Sequence, residues 1–208
     1  MGSTAKGPLL ERPFFLRPCA EVARDLLGRH LARGPVVLRI TEVEAYLGSE
    51  DSASHARHGR TARNAPMWEA GGLAYMYLCY GIHWMLNIVA EEEGRAAAIL
   101  VRACEPVAGL PVIQRRRRMD ASGPALLAGP GKVAQALGLD GSFSGHALFA
   151  AGGLELRPGD APERILAGPR VGIDFADEGD RAARLRFACA GTKWVTVPKP
   201  LSPEGRRG

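Results

Sequence analysis

Two glutamates one residue apart, Glu42 and Glu44, lie in the segment Thr41-Glu-Val-Glu-Ala-Tyr-Leu-Gly48. Residues 36–47 read as a half-buried strand. Alternation puts Val36, Leu38, Ile40, Glu42, Glu44 and Tyr46 on one side. The apolar start of that row marks the covered face, so both carboxylates are expected in a buried place. A carboxylate there is costly unless it is hydrogen-bonded, paired or wet. Beyond it runs His55-Ala-Arg-His-Gly-Arg-Thr-Ala-Arg-Asn64, with Arg57, Arg60 and Arg63 at every third position and no acidic residue between Ser52 and Trp68. An inward carboxylate beside a basic, glycine-punctuated loop suggests acid/base chemistry on a polyanion.

Other residues could join that chemistry. Asn87 and Arg102 each interrupt an apolar strand. A buried arginine needs an anionic or water partner. Glu105 or Glu42 would make that pairing structural, whereas Glu44 would place it at a cleft. The tyrosines are Tyr46, Tyr75, Tyr77 and Tyr80. Tyr80, at a hairpin tip beside Gly81, could serve as a wedge or stacking plate for bases, or could simply pack on the sheet. For Tyr75, sheet packing is the preferred reading. Cys19, Cys79, Cys104 and Cys189 show neither metal-ligand nor CxxC spacing, and Cys79 and Cys104 read as small core residues. His55 and His58 lack a second ligand pair, so neither a metal nor a cofactor is expected.

The bulk numbers are ordinary. The chain has 208 residues, 46% hydrophobic and 24% charged, with a formal charge of +5. That length suits one domain with a real core. The run Arg115-Arg116-Arg117-Arg118 is either a solvated helix face or a phosphate contact. No stretch resembles a signal peptide or reaches membrane-spanning length, and no disulfide framework is visible. A cytoplasmic location with no membrane partner is therefore expected.

The elements that must hold these groups follow from periodicity. Residues 18–32 predict a helix, with Val22, Ala23, Leu26, Leu27 and Leu31 at helical spacing and Gly34-Pro35 as the stop. After the 36–47 strand comes a long loop, 48–72, with one helical turn near 66–69. A loop of this length in a compact domain is usually functional or disordered. Strands are expected at 73–80, 82–90 and 96–103, with Glu91-Glu-Glu-Gly-Arg95 as a solvated turn, and short connections make them antiparallel. Residues 110–118 and 131–137 predict helices. Gly129-Pro-Gly131 lacks Walker spacing and reads as an ordinary helix start. Further strands are expected at 147–156, 165–173 and 194–197, with loose ends at 1–12 and 198–208. The fold class is α+β: a single mixed domain, 13–200, on a curved antiparallel β-sheet with flanking helices.

Several blocks carry a family resemblance. TEVEAYLG, SHARHGRTARN, YMYLCYGIHWMLN, ILVRACEP, GPGKVAQALGL and GPRVGID, in that order, resemble the alkyladenine (3-methyladenine) DNA glycosylases of the mammalian type. The resemblance implies a metal-free, monofunctional, monomeric enzyme that flips damaged purines out of double-stranded DNA and cuts the N-glycosidic bond with water. Glu44 would be the general base, with Arg102 and the Val171 carbonyl holding the water. Tyr46, His55 and Tyr77 would sandwich the base, and Asn87 would crowd an undamaged guanine. Tyr80, with Ile82 beside it, would enter the vacated stack. Arg60 and the Gly172 backbone would hold phosphates. Ile82 replaces the family's methionine and His83 an aromatic, so these positions bear on substrate range. The residues alone leave open a non-catalytic nucleic-acid-binding module and a nucleoside hydrolase.

Overall fold

Strand β2 (Val36–Tyr46) runs through the middle of the fold and positions both glutamates. The computed structural model describes residues 8–196 and 200–204. Within them, β1 (His30–Arg33), β2, β3 (Ala74–Cys79), β4 (His83–Ala90), β5 (Ala97–Ala108), β6 (Glu155–Arg157), β7 (Ile165–Gly168), β8 (Arg186–Cys189) and β9 (Ser202–Pro203) form one sheet. The main path is β3-β4-β5-β2-β8-β7-β9, while β1 joins β2 to β6. Every pairing is antiparallel. With helices α1 (Cys19–Leu26), α2 (Leu110–Arg117), α3 (Pro130–Leu137) and α4 (Glu178–Ala182), this is the expected α+β domain.

The sheet has two unlike faces. Leu38, Ile40, Met76, Leu86, Ile88, Ile99 and Val101 face the main core, which also takes Val22 and Leu26 of α1, Ile113 of α2 and Val133 and Leu137 of α3. The opposite face carries a smaller cluster, including Ala56, Met67, Tyr75, Val89 and Ala98, beneath the 48–72 loop. Period-two alternation sorts apolar side chains to the helices and polar or aromatic ones to the loop.

The predicted helix at 18–32 is wrong in its second half. Cys19, Val22, Ala23 and Leu26 bury one helical face as expected, but the helix stops at Leu26. Leu27 is extended and Gly28 has φ +87°. There the Gly28 N–H donates to the Ile40 carbonyl at 2.8 Å, and His30–Arg33 pairs with β2 as a strand. Sheet pairing outweighs helical propensity, and Gly28 is the hinge. At the other end the Glu91 carboxylate accepts the Cys19 N–H at 2.9 Å. The acidic turn therefore caps a helix start, where negative charge is favoured, besides meeting water.

Other boundaries shift. β5 extends five residues past the expected 103 and pairs with the start of β2. Only Glu155 and Leu156 of the 147–156 candidate lie in a strand, which runs on to Arg157, apart from an isolated bridge at Ala147. The 165–173 candidate ends at Gly168, β8 was not anticipated, and 194–196 is not a strand. Of the expected loose ends, residues 1–7, 198–199 and 205–208 lie outside the described residues, as does Val197. Residues 12–15 form a 3-10 turn, and Ser202–Pro203 pairs with β7.

Candidate active site

The two carboxylates reach the loop face because the strand's alternation breaks. Ile40 pairs with Cys104 and Glu42 with Ala103, leaving Thr41 as an extra residue. Val43 pairs with Val101, leaving Arg102 as the extra residue opposite. These paired bulges switch both strands by one residue. Val36, Leu38 and Ile40 face the core before the switch, and Val43 and Ala45 after it. Glu42, Glu44 and Tyr46 therefore do not continue the apolar row: they lie on the other face. The burial of both glutamates was anticipated correctly, but from an incorrect register.

Both are completely buried, yet they differ in their partners. Glu42 Oε1 accepts from Arg102 Nε at 3.1 Å, Arg186 Nε at 2.7 Å and the Thr196 hydroxyl at 2.6 Å. The Thr196 N–H donates to its other oxygen. Four donors occupy this carboxylate. Glu44 Oε2 accepts from the Tyr46 hydroxyl at 3.1 Å and is ion-paired with Arg102 Nη1 at 3.1 Å. Among the described residues its Oε1 accepts only the Val171 N–H, at 2.7 Å. One lone pair on Oε1 remains free to accept a further proton donor. Arg102 thus bridges both carboxylates, so its two candidate pairings coexist; Arg39 is the partner of Glu105. Burial raises the Glu44 pKa above its ordinary value, against the lowering effects of Arg102, the Val171 N–H and Tyr46.

Above this cluster opens a cavity of about 460 Å³. Glu44 lies beneath its wall, reached through Tyr46, Arg102 and Val171, which all line it. Tyr46, His55, Tyr77 and Asn87 line the same space. The His55 ring stands edge-on to Tyr77 at 4.5 Å between centroids, and its Nδ1 is 3.0 Å from the Tyr75 hydroxyl. Tyr75 packs in the smaller cluster, as expected, and also fixes this imidazole. Burial, then Arg63 and Arg57, lower the His55 pKa to about 4, so the ring is neutral near pH 7. Burial, then Glu44, hold the Tyr46 phenol well above its usual pKa, which keeps it a hydrogen donor. The Asn87 amide donates to the Tyr75 carbonyl at 3.1 Å. Cys79 is only half buried and lines the cavity, so it is not the core residue expected; Cys104 is.

At the rim, β3 and β4 turn through Tyr80, Gly81 and Ile82. Tyr80 is 93% exposed and Ile82 70%. Tyr80 adopts φ +50°, a conformation uncommon for a residue with a side chain and met at functional sites. Gly172 has φ +76° and lines the cavity next to Val171, although a Cβ there would meet nothing within 4 Å. Its need is conformational rather than steric. Arg60 is outside the cavity lining and pairs with Glu69 at 2.8 Å on the surface.

The sequence matches the family model of Methylpurine-DNA glycosylase (MPG) over residues 13–193. A DNA-3-methyladenine glycosylase of Arabidopsis thaliana is 50% identical over 95% of this chain and 78% of its own. Proteins of Nitrosococcus oceani and Methanocella arvoryzae, each named "Putative 3-methyladenine DNA glycosylase", are 56% and 43% identical. These alignments cover 94% and 93% of this chain, and 96% and 98% of the relatives. The chain belongs to the methylpurine-DNA glycosylase family. It is a DNA glycosylase, a hydrolase.

Several residues of the glycosylase's site were not singled out from sequence. Arg170 is fully buried, forks onto Asp51, donates to the Ala45 carbonyl at 3.0 Å and stacks 4.7 Å from the Tyr46 ring. It lay within the quoted GPRVGID block, but an arginine beside glycine and proline reads as surface. Arg186 and Thr196, which complete the Glu42 cluster, sit in segments whose strand pattern was misread. Two of the four arginines in the run, Arg116 and Arg117, are held within the fold, while Arg115 and Arg118 are exposed. Arg116 donates to the Ala136 carbonyl and Arg117 to Gln135, while Arg33 donates to the Leu137 and Gly138 carbonyls. These cations meet the C-terminal end of α3, where the helix dipole favours them. Among the described residues no cluster of three or more His, Cys, Asp or Glu could hold a metal, and no helix is long and apolar enough to cross a membrane.

Proposed function

We propose that the enzyme excises 3-methyladenine and other alkylated or deaminated purines from duplex DNA, as a monomer, by base flipping and attack of a water activated by Glu44. The observation that carries this reading is the contrast between the carboxylates. Among the described residues Glu42 takes four donors, two of them buried arginines, whereas Glu44 takes three and keeps a lone pair free on Oε1 beneath the cavity wall. A carboxylate whose pKa is raised by burial is a stronger base toward water. Arg102 Nη1 and the bend around Val171 flank the position that such a water would take, and every group named comes from one chain.

Glycosidic cleavage builds positive charge on the sugar, as in oxocarbenium-like sugar hydrolysis, and a carboxylate beneath it stabilises that charge. Flipping costs least for a damaged or mispaired base. Tyr46 and Tyr77 offer electron-rich rings to a cationic purine, and a neutral His55 does not repel it. Asn87 would crowd the exocyclic amino group of an ordinary guanine. Arg60, once released from Glu69, and the Gly172 backbone would meet phosphates.

The test is single-turnover base release from dimethyl sulfate-treated duplex and from duplex carrying hypoxanthine. Wild type should leave an intact abasic strand. Glu44→Gln should lose about 10²–10⁴-fold in rate, the usual worth of a general base, while retaining lesion-DNA binding. Wild-type turnover by Glu44→Gln, with Glu42→Gln inactive, would transfer the role to Glu42.

A further inference from the structure

Phe175 is 62% exposed although it lines the cavity. It sits in the segment after β7, while Tyr80 projects from the β3–β4 hairpin. In the sheet, β3 and β7 stand on opposite sides of the β5–β2 pair that carries Arg102 and Glu44. The cavity mouth therefore has an exposed aromatic on each side. The Arg57 guanidinium lies 4.7 Å from the centroid of the Phe175 ring. Arg57 donates to the Ser52 carbonyl at 2.8 Å and to His58 at 2.9 Å. It has no ion pair with a carboxylate among the described residues.

This rim is preformed. The Asp177 N–H donates to the Ser52 hydroxyl at 2.9 Å. The Ser52 hydroxyl and N–H donate to Asp180 at 2.5 Å and 2.8 Å. The clasp ties the loop bearing Arg57 to the segment bearing Phe175. It presents an apolar ring and an uncompensated cation side by side at the mouth of a base-sized cavity. A nucleotide offers the matching pair of chemistries: a sugar whose faces are largely C–H, and an adjoining phosphodiester anion.

We propose that Phe175 and Arg57 form a rim subsite for the flipped nucleotide, with Phe175 against its deoxyribose and Arg57 on its phosphodiester. This rests on the glycosylase reading and deepens it. Tyr80 and Phe175 then divide the task, one filling the vacated stack and the other retaining the extrahelical nucleotide. The guanidinium stacked on Phe175 couples phosphate capture to sugar contact.

The experiment is single-turnover base release at varied enzyme excess on a dimethyl sulfate-treated duplex, with affinity for the same duplex left undamaged as the reference. Phe175→Ala should raise the half-saturating enzyme concentration about tenfold, within the range of one aromatic contact to a nucleotide. It should leave the undamaged duplex unaffected, because no nucleotide reaches the rim there. Phe175→Tyr, which keeps the ring, should restore the wild-type value. Arg57→Gln should lower the slope of log affinity against log salt by about one, as expected for one lost phosphate contact. The effects of the double variant should be less than additive, since the two side chains touch. Wild-type half-saturation in Phe175→Ala, an equal loss on undamaged duplex, or an unchanged salt slope in Arg57→Gln would each overturn the subsite. Failure of the wild-type enzyme to release any base from the treated duplex would instead sink the function on which it rests.

Discussion

At the residue scale, the two glutamates separate by what surrounds them rather than by burial. Glu42 joins Arg102 and Arg186 in a closed ionic cluster, and Arg102 lends its remaining edge to Glu44. In the proposed mechanism Glu42 is a positioning residue: it would orient Arg102 without needing to touch a substrate. It also contributes to raising the Glu44 pKa, as a neighbouring negative charge. Glu42→Gln should therefore have two effects. The rate should fall, by about tenfold if the loosened Arg102 costs about 1.4 kcal/mol of transition-state stabilisation. The acid limb of the pH–rate profile should also move to lower pH, because Glu44 then ionises more readily. Stability should fall too, by about 3–5 kcal/mol, the cost of breaking a buried ion pair. A merely structural Glu42 would lower the melting temperature and leave the acid limb where it is, so a pH–rate profile decides between them.

At the element scale, the β3–β4 hairpin and the turn at Gly28 each hold the backbone in a left-handed conformation, for different ends. At the hairpin, Tyr80 bears a side chain in that conformation and projects it into solvent. Tyr80→Ala should weaken lesion-duplex binding by roughly 1–3 kcal/mol, the scale of one base–aromatic stack. Single-stranded substrate has no gap to fill, so the loss should shrink there. Affinities on both, beside a thermal melt, check this, and an equal loss on both with a lower melt would make Tyr80 a packing residue. At Gly28 a Cβ would lie 2.0 Å from the Asp160 carbonyl oxygen. Gly28→Ala should destabilise by at least about 1–3 kcal/mol from backbone conformation alone, seen as a lower denaturant midpoint. These two places also mark how far the sequence could be read. Strands whose neighbours are adjacent in the chain, β3, β4 and β5, were legible because alternation and short turns are local signals. The end of α1 was not, because Gly28 takes its role from Asp160 and Ile40, which are remote in sequence. β8 was missed for a similar reason: Arg186 in a strand reads as exposed until Glu42 is known to face it. The cavity residues Tyr46, His55, Tyr77 and Asn87 were named from family blocks, whereas Arg170 went unread because its partner Asp51 lies in another loop.

At the scale of the whole molecule, a fully buried carboxylate places a strain on the fold, and that strain depends on pH. Glu44 ionises in the folded protein at a pKa raised above its ordinary value of 4.5, with burial the leading cause. Between those two values the unfolded chain has lost this proton and the folded chain has kept it. The folded state then binds more protons, so stability falls as pH rises through that window. Glu44→Gln carries no titrating group at this position and escapes the penalty. His55 titrates with the opposite sign. Its folded pKa, about 4, lies below the ordinary 6.5, so its contribution is lost as pH falls from about 6.5 to about 4. That contribution is common to both proteins and cancels in their difference. The melting-temperature gap between Glu44→Gln and wild type should therefore move in favour of the variant as pH rises above about 4.5, and become constant above the folded pKa of Glu44. Paired thermal melts from pH 4 to 8 measure it. A gap that stays flat, or moves in favour of wild type, would mean that Arg102 and the Val171 N–H outweigh desolvation. Glu44 would then be an ordinary stabilised carboxylate, and its basicity toward water would have to come from the bound substrate rather than from the fold.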